Sequence, residues 1–490
     1  MKHNISNNAL GLSILLFCFY HNVFCQSTIN VIQSEKLEQI NINDTIFQKF
    51  SGNVIIEYSD LKIVSDTIMI DEYQHLVRGW GNTHIFNDTL SCHSDSINIK
   101  TKLDQIIFHQ NTLLKTNNME IGSNEIIYNY ENKEVKYFKS GNVTTTDYSI
   151  DSKEFTHKLN TKNSYFNKNV ELQNEEYSIV SESIDQSEEK IIFSGNTIIQ
   201  HIDFQINCKN GFLEKSKTLE LSNGVTVHFE NQSIKANRLK RNVKTKENYF
   251  NDDVHIIINQ NKHVFGQKLH QINNTSTITK NPYIKLLNEK DTTFIKAETI
   301  KIDQDENLLL DKNVTIYNKN LQGKCNTMDF QSNNREINMN TIPVLWFNNI
   351  QITGEKIQLY THENTIDSIY IPTKAFIISQ VDSSKYYNQI KGRELEGKIQ
   401  DNHIQYANIS RNGELIYFKK NKKKKRTSVN HVQAGNIELF FEQNSIKEVL
   451  CVDQIDSKYT EVDTIDVSKN LTQMYLDGFK LETNNINMMF

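Results

Sequence analysis

A short phrase recurs along this chain roughly every 27 to 32 residues: a glycine or charged residue, then Asn or Asp, then alternating apolar residues. It reads Gly52-Asn53-Val54-Ile55-Ile56, Gly81-Asn82-Thr83-His84-Ile85, Gly141-Asn142-Val143, Lys168-Asn169-Val170, Gly195-Asn196-Thr197-Ile198 and Asn223-Gly224-Val225. Later copies are Asp252-Asp253-Val254-His255-Ile256 and Lys312-Asn313-Val314-Thr315-Ile316. A period of this size marks a repeat architecture, in which each unit buries its apolar face against its neighbours. The period-two alternation within each copy, clearest in Val225-Thr226-Val227-His228-Phe229, makes the units strands with one buried and one wet face. The expected fold is an elongated all-β stack of antiparallel strands. In such a stack Gly-Asn suits a tight turn with positive φ that opens each strand. Apolar spacing of the helical kind is nearly absent.

Composition agrees. The 490 residues would suggest about three ordinary domains, but a stack grows by adding units rather than cores. Hydrophobic residues make up 37%, below the roughly 45–50% of globular domains, which suits thin one-sided sheets. Only three prolines occur, Pro282, Pro343 and Pro372, as a continuous ladder requires. The formal charge is −5, and removing a leader takes away Lys2 and no acid, so the balance opposes general nucleic-acid binding.

The first 25 residues stand apart. Lys2 and His3 precede the apolar run Ala9–Tyr20, too short to span a bilayer comfortably, and cleavage near Val23-Phe24-Cys25 would leave Gln26 first. This reads as a signal peptide over 1–25, with export to the periplasm. Lipidation of Cys25 is the lesser reading, because Phe24 is bulky where small residues are usual. The other cysteines, Cys92, Cys208, Cys325 and Cys451, lack metal-type spacing and read as isolated strand residues, with disulfides as the alternative.

The repeat occupies residues 26–371. A looser β segment follows over 372–468, with Ile371-Pro372 as the break, and 469–490 is a tail without clear pattern. The run Lys419-Lys420-Asn421-Lys422-Lys423-Lys424-Lys425-Arg426 sits between two strands; it reads as a solvated loop tip, or as a contact for an anionic membrane surface.

Catalytic and metal motifs are missing: no HExxH, GxSxG, P-loop or paired CxxC occurs. Gly79-Trp80-Gly81 lacks the third glycine of a dinucleotide loop and reads as a turn before Ile85. His84, His201, His228 and His255 recur near the starts of units, but outward polar strand positions explain them better than a metal ladder. No catalytic residue, metal or cofactor is assigned. If the sheet is V-shaped or rolled, its inward positions form a continuous apolar trough lined by Val54, Ile56, Ile85, Val143, Ile198, Val225, Val227, Phe229, Ile256, Ile258, Val314 and Ile316. Such residues either pack together as core or leave a groove open to acyl chains, sheltering each CH₂ by roughly 0.8 kcal/mol.

The order Ser51-Gly52-Asn53-Val54-Ile55-Ile56, then Leu61-Lys62-Ile63-Val64-Ser65-Asp66-Thr67-Ile68, resembles the OstA-like family. The second unit repeats it from Gly81 to Ile85 and from Thr89 to Ile97, and Tyr387–Gly397 is similar to a feature of long OstA-like proteins of the Bacteroidetes. The resemblance implies a V-shaped β-jellyroll and a periplasmic role: carrying lipopolysaccharide, or a related lipid, toward the outer membrane with its acyl chains in the groove. It implies no enzyme, a partner ATPase elsewhere, and other transport components joined by pairing of edge strands, so that membrane association comes through partners. The chain is much longer than the short bridging members, and it lacks a large C-terminal barrel although Phe490 is a terminal aromatic. The alternatives are a secreted β-solenoid or adhesin with a filled core, and an outer-membrane β-barrel. The 20 Tyr and 25 Phe do not cluster into the girdles a barrel needs. Strand register stays open, since a one-residue slip turns every side chain over.

Overall fold

The computed structural model describes residues 29–42, 45–71, 73–214, 217–288, 291–362, 365–381, 386–421, 426–443, 445–461 and 474–486. The leader, Cys25, Lys422 to Lys425 and Phe490 lie outside the described residues. Within them there is no α-helix; a 3-10 turn spans Thr101–Leu103, and the strand pairs are antiparallel. The chain divides into two compact units, Met1–Thr146 with Lys158–Asn160, and Asp147–His157 with Thr161–Phe490.

In the first unit the strands Thr45–Tyr58, Leu61–Asp71, Leu76–Phe86, Leu90–Lys100, Gln105–Thr116 and Glu120–Asn129 each pair with the next. The second unit repeats this from Asn163–Gln173 through Tyr177–Gln186, Lys190–His201, Gln205–Glu214, Thr218–His228, Gln232–Asn242 and Asn248–Ile258 to Lys262–Ile272. Beyond Ile272 many of the long strands are cut in two, as in Glu394–Gln400 after Tyr387–Gly392.

The recurring phrase does not open these strands. It sits in their middles and bends them. Gly52 and Asn53 both have positive φ, and together they oppose the single residue Asp66. The same two-against-one bulge occurs at Gly81-Asn82, Gln110-Asn111, Lys168-Asn169, Asn223-Gly224, Asp252-Asp253, Lys312-Asn313 and Arg411-Asn412, where both residues have positive φ. Only Gly141-Asn142-Val143 opens a strand, Gly141–Thr144. A bulge adds a residue to one strand, bends it and increases its twist, so each long strand becomes two arms meeting at a corner. Asn and Asp reach left-handed φ at lower cost than other L-residues, and Gly at none. At Gly81, with φ +80°, an added Cβ would come within 2.4 Å of Asp66 Oδ2. That carboxylate is already engaged, because Asn82 Nδ2 donates to it at 3.2 Å. The corner Asn–acid pair recurs at Asn53–Glu35, Asn111–Asp95 and Asn313–Glu298, at 2.8, 2.8 and 2.6 Å.

A C-terminal strap crosses the outer face of the second unit. Gln389 Nε2 donates to Met474 O at 3.0 Å while Leu476 N donates back to Gln389 Oε1 at 2.9 Å. Gln351 does the same to Lys480 O and Glu482 N, both at 2.8 Å. Lys324 Nζ meets Glu482 Oε2 at 2.8 Å, and Asn484 Nδ2 donates to Gln322 at 2.6 Å. Beneath the strap Met474 and Leu476 pack with Phe376, Ile378, Ile416, Phe418 and Val429 in a second small core. Strands Val344–Phe347 and Ala375–Gln380, the latter as far as Ser379, are therefore buried on both faces, which accounts for the apolar runs 344–347 and 375–378.

The cysteines Cys92, Cys208 and Cys325 are buried free thiols and Cys451 is a half-buried one, so the disulfide alternative is not realised. Burial pushes Cys208 up to about 11, Cys325 up to about 12, and Cys92 higher still. Thiolate, not thiol, is the nucleophile. In the native protein at pH 8 a maleimide is expected to label Cys451 first and the other three only after denaturant unfolds the strands, which labelling followed by peptide mass analysis checks.

Candidate binding interior

The two arms of each strand carry their apolar residues on one face. In the phrase Gly-Asn-x-x-x, the first and third residues after Asn face inward: Val54 and Ile56, Thr83 and Ile85, Thr197 and Ile199. Of the twelve expected trough residues, ten are buried and none of these exceeds 4% exposure: Val54, Ile56, Ile85, Val143, Val225, Val227, Ile256, Ile258, Val314 and Ile316. Ile198 is a correction. It is 43% exposed, because the corner places Thr197 and Ile199 inside and turns Ile198 outward beside Val180. Phe229 follows the last residue of its strand, is only half-buried, and tilts against Phe204 with ring centroids 6.2 Å apart.

Register joins these residues into rows. In the first unit Ile56, Ile63, Ile85, Cys92, Leu114, Ile121 and Val143 are successive cross-strand partners. In the second unit Ile199, Ile206, Val227, Ile234, Ile256, Val264, Ile284, Ile295 and Ile316 form an unbroken aliphatic row. It continues through Gly323, Leu345, Ile352, Ile377, Ile390 and Leu415. Near the corners hydroxyls replace methyls and satisfy the bulged backbone. Ser65 Oγ donates to Trp80 O at 3.0 Å and lies 3.1 Å from Thr83 Oγ1; Ser181 Oγ lies 2.9 Å from Thr197 Oγ1.

Opposite the corners, the arm ends face one another across a mouth. Polar contacts lace it. In the first unit Lys133 Nζ meets Asp60 Oδ2 at 3.1 Å, and the Tyr58 and Tyr130 hydroxyls touch. In the second unit Lys262 Nζ meets Glu306 Oε2 at 3.1 Å, and Asn402 Nδ2 donates to Asp291 at 3.1 Å. The exposed Lys133–Asp60 pair contributes about 0–1 kcal/mol, whereas the Tyr58–Tyr130 contact is buried.

The histidines form small stacks rather than a ladder. His84 lies 3.8 Å centroid to centroid from His93, and His255 Nε2 lies 2.9 Å from His263 Nδ1. Among the described residues no group of His, Cys, Asp and Glu is arranged to hold a metal ion. Gly79-Trp80-Gly81 lies within the strand Leu76–Phe86 at its corner rather than in a turn before Ile85. The basic run continues one strand to Asn421 and opens the next at Arg426. The sequence reading missed the mouth contacts and the strap; the Gln351 and Gln389 amides inside apolar runs were the available signal.

The first unit also has an open end. Strands Ile29–Gln33 and Lys36–Ile42 both pair with Thr45–Tyr58, and among the described residues they have no partner on their other side. Val31 and Leu37 lie beside the inward residues Ile56 and Phe50, yet they are 38% and 60% exposed.

The OstA-like protein family model matches residues 26–182. No curated protein matches the chain. A structural match is the crystal structure of LptH, the LptA homologous periplasmic component of the conserved lipopolysaccharide transport device from Pseudomonas aeruginosa. It is 13% identical, covers 22% of this chain and 80% of that chain, and has a TM-score of 0.20. The family match covers about a third of the chain, with the corners at Gly52-Asn53 and Gly81-Asn82 inside it, and over residues 26–182 the chain is similar to the OstA-like family.

Proposed function

We propose that the protein is a periplasmic carrier of lipopolysaccharide, or of a related lipid, that holds acyl chains between the two arms of its strands and moves them toward the outer membrane. The observation that carries this reading is the unbroken inward aliphatic row of the second unit, which runs across successive strands as a track rather than a closed pocket. The OstA-like match supports it. Val54, Ile56, Ile85, Val143, Val225, Val227, Ile256, Ile258, Val314 and Ile316 are the proposed lining. Cargo entry requires the arms to part at the laced mouth, where the exposed Lys133–Asp60 pair holds weakly. The role is binding and transfer, without a catalytic step. The open edge at Ile29–Gln33 and Lys36–Ile42 is the proposed junction with another OstA-like component, since an unpaired strand edge beside exposed apolar residues favours strand addition.

The near-complete burial of the inward rows favours a second reading, a scaffold with a filled core. Site-specific photocrosslinking in cells separates the two. A probe at the buried Val227 is expected to give a lipopolysaccharide adduct, and one at the exposed His228 is not. A folded periplasmic protein that gives adducts at neither position is a scaffold.

A further inference from the structure

One stretch of the inward face is polar. At the arm ends of the second unit the inward rim runs through the cross-strand partners Leu219, Arg241, Asn248, Gln271, Ser276 and Ile302. The row immediately inside it, Leu221, Leu239, Phe250, Leu269, Ile278 and Ile300, is apolar and buried throughout. Four consecutive strands thus place polar side chains at the lip of an apolar interior.

Arg241 is the charged member, two residues beyond the inward Leu239 and half-buried. A guanidinium has five N–H donors in a fixed fork. Here its Nη1 donates to Asn248 Oδ1 at 2.8 Å, and no carboxylate lies within ion-pair distance of it among the described residues. The acid closest in sequence, Glu247, is turned to the other face, where it accepts from Tyr249 Oη at 2.6 Å and lies 4.0 Å from His270 Nε2. Gln271 is fixed by Ser276, its Nε2 donating to Oγ at 3.0 Å. A partly desolvated cation without a counter-ion is costly unless a ligand supplies one.

We infer that Arg241, flanked by Asn248 and Gln271, binds the anionic head group of an amphiphile, a phosphate monoester in chemical class, whose alkyl chain lies against Leu221, Leu239 and Phe250. This rests on the lipid-carrier reading and adds to it the position and charge of the head-group site. The fork geometry suits phosphate bidentately, and the neighbouring amides supply further donors.

The test uses the purified full chain with dodecyl phosphate, neutral dodecyl maltoside and inorganic phosphate, each titrated by calorimetry. The wild-type protein is expected to bind dodecyl phosphate at least tenfold more tightly than the maltoside. Arg241→Met, which keeps an apolar stem, is expected to abolish that preference while leaving maltoside binding unchanged, and Arg241→Lys to retain part of it. A preference that survives in Arg241→Met overturns the site. So does inorganic phosphate binding as tightly as dodecyl phosphate, which identifies a free-anion site instead. Failure of both amphiphiles to bind the wild-type protein overturns the lipid-carrier reading itself. Thermal melts establish that both variants are folded.

Discussion

Acidification from pH 7 to pH 4 is expected to remove about 3 kcal/mol of stability from the second unit through one side chain, His157. His157 is 3% exposed and sits on the inward face, 2.9 Å from Ser164 Oγ and stacked parallel to Phe155. Burial is the main cause that lowers its pKa to about 4, opposed by a backbone hydrogen bond at Asn163. The neutral ring is therefore the folded form. In the unfolded chain the imidazole titrates near 6.5. A histidine with a depressed folded pKa contributes nothing adverse above 6.5. Between 6.5 and about 4 the unfolded state takes up a proton that the folded state refuses, and stability falls by about 1.4 kcal/mol per pH unit. The measurement is denaturant unfolding of the wild type and of His157→Gln, which can keep a hydrogen bond to Ser164, across this range. Many carboxylates titrate there too, so the difference between the two proteins is the readout. It should narrow as the pH falls. Stability curves that stay parallel to pH 4 would show that the ring is protonated inside the fold.

Much of this architecture is legible in the sequence. Alternation identified the strands, and the spacing of Gly52-Asn53, Gly81-Asn82 and their later copies identified the repeat. The role of the phrase was not legible, because Gly-Asn with positive φ serves a two-residue hairpin and a mid-strand bulge equally well. The tie-breaker lies one strand away. Asn82 needs Asp66, and Asn111 needs Asp95, each 16 residues earlier, a spacing that joins neighbouring corners and not the two sides of a hairpin. The same ambiguity explains Ile198. With Thr197 rather than valine after Asn196, the apolar residue nearest the phrase is the outward one, and only the corner geometry shows that Thr197 and Ile199 are the inward pair.

The strap was invisible for a different reason. Residues 474–486 have no periodicity, and their fixed position comes from side chains more than 80 residues earlier in the sequence. What the sequence does carry is a mismatch: Val344–Phe347 and Ala375–Gln380 are too apolar for one-sided strands, and each neighbours a strand with a central glutamine, Gln351 or Gln389. Apolar residues on the second face require a cover, and the glutamines supply backbone-like donors and acceptors to hold it.

Gln389→Ala is expected to release the beginning of that cover. The glutamine is fully buried, and its amide makes paired bonds to Met474 O and Leu476 N, as an adjacent strand would. Each such bond contributes about 1 kcal/mol net, and a buried partner left unsatisfied costs about 1–3 kcal/mol. Removing both should cost the strap roughly 2–3 kcal/mol. That amounts to a loss of hydrogen-exchange protection of roughly 30- to 150-fold at Leu476. The change should stay local. Ile377 and Ile390 on the opposite face keep their packing in the inward row, so the unit itself should lose little stability. Gln351→Ala makes the complementary prediction at Glu482, with Leu476 remaining protected because Gln389 still holds it. If both substitutions expose Leu476 and Glu482 equally, the strap opens as a single unit and its two glutamine anchors are coupled. If neither does, the apolar contacts of Met474 and Leu476 with Phe376, Ile416 and Phe418 hold it, and the amide pairs contribute only register.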